Sequence, residues 1–122
     1  MEHNWDKYFD TTSDYWVKLQ ALYAANEHYP KKVVTGRNLH HKFLRSWSKK
    51  DGTAIDNDEN NLVSLSLSDH FLAHYYIWKC SLKGYRRMTA RSFQLMRKKA
   101  VTYCTDETVE MIAKDYAEAM GE

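Results

Sequence analysis

The sequence predicts a small α+β domain: one helix, a β-hairpin, and then three further helices. Three observations carry that expectation. Apolar residues recur at helical spacing in four separate stretches. Two short strand-like runs, Val33-Val34 and Leu62 to Leu65, lie on either side of a polar loop. The 122 residues, with 43% hydrophobic and 14% aromatic content, suit one compact domain over positions 1–122 rather than two.

Taken in order, SDYWVKLQALYAANEHYP places Tyr15, Trp16, Leu19, Leu22 and Tyr23 on one helical face behind a Ser13 cap, so a helix is expected over 13–29 with Pro30 as its stop. Val33, Val34 and Gly36 then suggest a short twisted strand or hairpin leading into two adjacent histidines, His40 and His41. SKKDGTAIDNDENN is a polar loop, followed by a strand signal in Leu62, Val63 and Leu65. Ser66-Leu67-Ser68-Asp69 spells a capping box, with Ser66 placed to bond free amides and Asp69 at the helix's positive end. A helix over about 67–82 should follow, ended by Gly84. Two more C-terminal helices are expected across 86–120. One runs near 86–103 with Met88, Phe93, Leu95 and Met96, the other from a Thr105 cap with Val109, Ile112, Tyr116 and Met120. The hairpin and its helix, 33–82, form the central unit.

Net charge is only +2, but its distribution is uneven. No acidic residue stands between Asp69 and Asp106, while Arg86, Arg87, Arg91, Lys98 and Lys99 are among the cations there. Such a stretch suits contact with phosphate or a protein partner; a solvated flank of an amphipathic helix would look the same. Cys80 and Cys104 have no CxxC partner, so neither a zinc ribbon nor a disulfide framework is implied. No apolar run reaches the length of a membrane span, and the first ten residues hold no signal-like apolar core, so the expected location is the cytoplasm with no membrane partner.

Four of the six histidines fall in two pairs, His40-His41 and His70-x-x-x-His74. Residues four apart stack on one helix face, so both imidazoles of the second pair can reach one ion from the same side. The plainer alternative is a half-buried aromatic helix, with Phe71, Leu72, Tyr75 and Ile77, whose histidines bond locally.

The segments LHHKFLRSW, NNLVSLSLSDHFLAHYYIWK and GYRRMTARSFQLM, spanning about residues 38–98, resemble the phage-type HNH endonucleases. Those proteins carry HHI-x-P, a loop, NLV-x-L-[ST]-x-x-EH-F-x-AH and a trailing basic helical region. The resemblance implies a ββα-metal fold with flanking helices and a divalent metal held by His40, His70 and His74. It makes His41 the general base, and Asn61, with Asn60 as the alternative, the residue that orients His41. On this reading the nuclease assignment is to be dropped if the His41 imidazole points away from the open side of the ion or if Asn61 does not touch it.

The chemistry is coherent with that assignment. Phosphodiester hydrolysis needs a proton taken from water, which neutral histidine does near its ordinary pKa, and charge offset on the phosphate, which a metal with an open position supplies. Three imidazoles favour Zn²⁺, with Ni²⁺ or Cu²⁺ competing, over Mg²⁺, while Mg²⁺, Mn²⁺ and Ni²⁺ stay open as alternatives for the family's chemistry. Adjacent strand residues face opposite ways, so His40 and His41 share a site only where the strand ends or bends.

Two departures stand out: Lys42, Phe43 and Leu44 replace the apolar residue and proline after the histidine pair, and Asp51, Asp56, Asp58 and Glu59 crowd the loop, where they would repel DNA if they lined the cleft. The expected function is a metal-dependent DNA endonuclease of phage or prophage type. The rival is a zinc-stabilised, catalytically degenerate scaffold of anti-CRISPR type that inhibits a host protein such as a CRISPR effector nuclease. Its anchors would be exposed aromatics among Trp47, Tyr75, Tyr76, Trp78 and Tyr85.

Overall fold

The computed structural model describes residues 3–100 of the chain, with side chains through Met96. The expected α+β class holds: four helices and a two-stranded antiparallel sheet. In chain order these are α1 (Asp14–Asn26), β1 (Arg37–His41), α2 (Arg45–Asp51), β2 (Leu62–Ser66), α3 (Leu67–Cys80) and α4 (Lys83–Ala100). The helix expected from Thr105 lies outside the described residues. No described helix is long and apolar enough to cross a membrane.

Two of the three expected helix caps lie within the described residues, and both form. The Ser13 hydroxyl accepts from the Tyr15 amide at 3.1 Å, and that of Ser66 from the Asp69 amide at 3.1 Å, each satisfying a donor that the first turn leaves open. Ser66 is at once the last residue of β2 and the cap of α3. Strand therefore turns directly into helix, which sets α3 against the sheet.

Four boundaries differ from expectation. Val33 and Val34 are exposed and precede the strand; β1 begins at Arg37, after Gly36 turns the chain at φ 83°. β-Branched residues favour strands only where neighbours pack on them, and Val33 has 88% of its surface exposed. Helix α1 ends at Asn26, ahead of Pro30. Gly84 does not end α3, which stops at Cys80, but sits in the first turn of α4. Finally, the two strands are joined not by a turn but by residues 42–61, which include α2; the segment expected as a loop from Ser48 is helical to Asp51.

Helix α2 owes its existence to tertiary packing. Only Trp47 in RSWSKKD is apolar, and it is fully buried against Tyr8, Phe9, Phe43 and Tyr85. Gly52, at φ 72°, closes the helix, with its own amide on Lys49 and the Thr53 amide on the Ser48 carbonyl at 2.9 Å, the double bond of a Schellman ending.

Trp47 and Trp78 are fully enclosed, Tyr75 is buried, and Tyr76 and Tyr85 pack partly buried against the core. The expectation that these aromatics are exposed is therefore corrected. They are consumed by two adjoining clusters, one between the N-terminal segment, α1, α2 and the sheet, the other where Phe71 and Trp78 stack on Phe93 of α4. The N-terminal segment is stitched into the first cluster by backbone bonds from Asp10 to Cys80 and from Leu82 to Tyr8.

Candidate metal centre

Strand β1 pairs with β2 so that His40 stands opposite Val63 and Asn38 opposite Leu65. Alternation puts Asn38 and His40 on the same side, the side that meets α3. From α3, His70 and His74 come up one turn apart on a single face. One donor nitrogen from each of His40, His70 and His74 lies within 4.8 Å of the others.

The hydrogen bonds around these rings prepare their lone pairs. Nδ1 of His70 meets the Asn38 carbonyl oxygen at 2.9 Å, so the proton resides on Nδ1 and the Nε2 lone pair faces the centre. Nε2 of His40 meets the buried Tyr23 hydroxyl at 2.9 Å; a hydroxyl can accept or donate there, and the tautomer with its proton on Nε2 leaves the Nδ1 lone pair for a cation. Nε2 of His74 lies 3.1 Å from Nε2 of His70. Donors about 2.1 Å from one tetrahedral zinc are roughly 3.4 Å apart, so this pair already has nearly the required spacing. The buried Nδ1 of His74 has no partner among the described residues.

Burial and neighbouring charge favour the neutral form of His40 and His74. Burial holds the His40 pKa well below 6.5, helped by His74, His70, His41 and Lys42. Burial, then His70, pushes His74 down to about 3. Neutral imidazole is the ligating form, so a divalent transition cation fits this donor set. The same shifts set a pH dependence for the metal-free protein. Below 6.5 the unfolded chain takes up protons that the folded rings refuse, so stability is full above 6.5 and is lost as pH falls toward 3, at up to about 1.4 kcal/mol per pH unit for each ring. Urea midpoints in chelator should therefore fall between pH 7 and pH 5; a flat profile contradicts burial of neutral rings.

His41 ends β1 and lines the same cleft as the three imidazoles, a space of about 270 Å³ whose wall also includes Arg45, Ser46 and Ser92. Its Nε2 lies 2.8 Å from the Asn57 carbonyl oxygen. The expected partner, Asn61, does not touch it. Asn61 is buried, accepts from the Phe43 amide at 2.8 Å and donates to the Asp56 carbonyl at 2.8 Å, while its own carbonyl accepts from the Lys42 amide at 2.8 Å. It staples both ends of the 42–61 excursion, because its side-chain amide can accept from the Phe43 amide with its oxygen while donating to the Asp56 carbonyl with its nitrogen. Asn60 is exposed. Asn61→Ala should cost about 1–3 kcal/mol, read by denaturant unfolding, through the backbone groups it strands.

The absent proline has a structural answer. Leu44 adopts φ −64° and ψ 141°, the torsion a proline ring would impose. It is held there by burial, as is Phe43 beside it.

The basic residues divide. Arg87 and Arg91 are exposed, whereas Arg86 lies over the Trp78 ring at 5.3 Å; the side chains of Lys98 and Lys99 lie outside the described residues. Asp51 and Asp56 do not line the cleft: Asp51 accepts from the Tyr8 hydroxyl at 2.5 Å and Asp56 meets His3 at 2.7 Å. Sequence reasoning missed Tyr23, Asn38, Asn57 and Arg45. Asn38 alone left a signal, two residues before His40 and so on the same strand face.

Comparison with family models, with curated proteins and with solved structures finds no match.

Proposed function

We propose that this chain is a divalent-metal-dependent hydrolase of DNA phosphodiesters, with the division of labour of an HNH nuclease. The observation that carries the reading is that a fourth histidine, His41, shares one cleft with the three ligand-competent imidazoles. Its Nε2 proton is engaged by Asn57, which leaves Nδ1 as the nitrogen able to accept a proton from water.

The contact between Asn61 and His41 on which the resemblance made the nuclease assignment depend is absent, so the family's roles are not carried over and the present reading stands on Asn57 instead. The physical requirement behind it is that something fix the ring's tautomer and direction, and Asn57 meets that requirement. Asn61 acts further back, fixing the backbone from which His41 projects.

His40, His70 and His74 would hold the cation, and zinc is the ion their nitrogens prefer. When bound, it supplies positive charge beside the phosphate and an acid site for the leaving oxygen. The Asn38 side-chain oxygen fixes the tautomer of His70, and the Tyr23 hydroxyl can accept the Nε2 proton of His40. The inhibitor reading would need anchors other than the core aromatics, and among the described residues no surface observation favours it.

The test is supercoiled plasmid incubated with the purified protein and Zn²⁺, Ni²⁺, Mn²⁺ or Mg²⁺. Nicked circles are expected. Intact plasmid with every ion, from protein that carries metal, overturns the proposal.

A further inference from the structure

The histidine cleft is not isolated. Arg45 and Ser46 belong both to its wall and to a second cleft that reaches Lys49, and Ser46 and Ser92 also border a third that reaches Arg87 and Arg91. The three clefts meet at Ser46: the second runs along α2 to Thr53 and Ile55, the third lies between α2 and α4, and among the described residues no carboxylate lines any of them.

The cations stand in two rows. Arg45 and Lys49 are four apart on α2, and Arg87 and Arg91 four apart on α4, so each pair shares a helix face; all four are exposed. Lys50 ties α2 to α4, donating to the Gly84 carbonyl at 3.1 Å and lying 4.5 Å over the Tyr85 ring. Like charges at this spacing repel, and two nearby carboxylates are engaged elsewhere: Asp51 with Tyr8 and Lys7, Asp56 with His3. A surface built this way is completed by a polyanion with regularly spaced charge.

We propose that these adjoining clefts are the track for the phosphodiester backbone of DNA, which passes Arg87 and Arg91 in one and Arg45 and Lys49 in the other, with Arg45 at the point where the strand enters the histidine cleft. The choice of DNA as occupant rests on the hydrolase reading; the location rests on the two rows and the shared walls. The grip is to phosphate and carries no base preference.

Binding is measured by fluorescence anisotropy with a labelled 20-base-pair duplex and a single strand of equal length, in the metal-loaded His41→Ala background so that nothing is cut. The two probes separate double-stranded from single-stranded backbone. Lys49→Glu/Arg87→Glu/Arg91→Glu should weaken binding about tenfold or more and lower the slope of log affinity against log salt by about 0.9 for each duplex phosphate that is no longer neutralised. Lys18→Glu/Lys32→Glu, exposed cations off the trough, should leave it unchanged, and both variants should keep their metal and melting temperature. Wild-type-like affinity in the triple variant, an equal loss in the control, or no DNA binding with the clefts unmodified overturns the track. Plasmid left intact by a protein that still binds through these clefts sinks hydrolysis and leaves the track standing.

Discussion

Chelation of the purified protein should lower its melting temperature sharply, and His40→Ala, His70→Ala and His74→Ala should each remove both the bound metal and the response to chelator. A ligand that binds only the folded state adds about 4 kcal/mol when present at a thousand times its dissociation constant. The three rings come from two elements that meet only in the fold, so the unfolded chain offers no comparable site. The alanine variants also empty space near the sheet, and His40→Ala strands the Tyr23 hydroxyl, so a lower melting temperature alone decides nothing. The decisive quantity is the difference between melting with zinc and melting with chelator, which should be large in the native protein and near zero in each variant. Elemental analysis should give about one zinc per chain, falling to a small fraction in the variants. A native protein that carries no transition metal and ignores chelator would leave the three imidazoles as core histidines.

Much of this centre was legible because two different periodicities coincide. The four-residue step from His70 to His74 requires a helix, and Ser66 with Asp69 marks where that helix starts. The strand before it is announced by Val63 and Leu65, both fully buried. What escaped is what tertiary contacts create. Helix α2 carries one apolar residue and no side-chain cap, so its local pattern is that of a polar loop; burial of Trp47 makes it a helix, and with it come Arg45 and Lys49. The Tyr23 to His40 bond joins positions whose elements are separated by a loop of no fixed length rule, so nothing in the order of residues pairs them. Asn61 shows the opposite error. Its position ahead of β2 is structurally demanding, yet the demand is made by the Phe43 amide and the Asp56 carbonyl rather than by an imidazole.

His41→Ala should reduce plasmid nicking by about 10²–10⁴-fold, the usual contribution of a positioned general base, while metal content and melting temperature stay native. Neither should move, because His41 is half-exposed at the end of β1 and is no part of the donor cluster. Asn57→Ala gives the sharper discrimination. It removes only the acceptor that holds Nε2, so the ring stays in the cleft but loses its fixed tautomer, and nicking should fall by a smaller factor than in His41→Ala. The double variant should be no slower than His41→Ala alone, since an orienting residue has nothing left to act on once the base is gone. Asn61→Ala should behave differently again, losing stability and activity together, because it supports the backbone rather than the ring. If Asn57→Ala nicks at the native rate, or if its loss adds in full to that of His41, then Asn57 does not position the base, and the role assigned to His41 loses the geometry on which it stands.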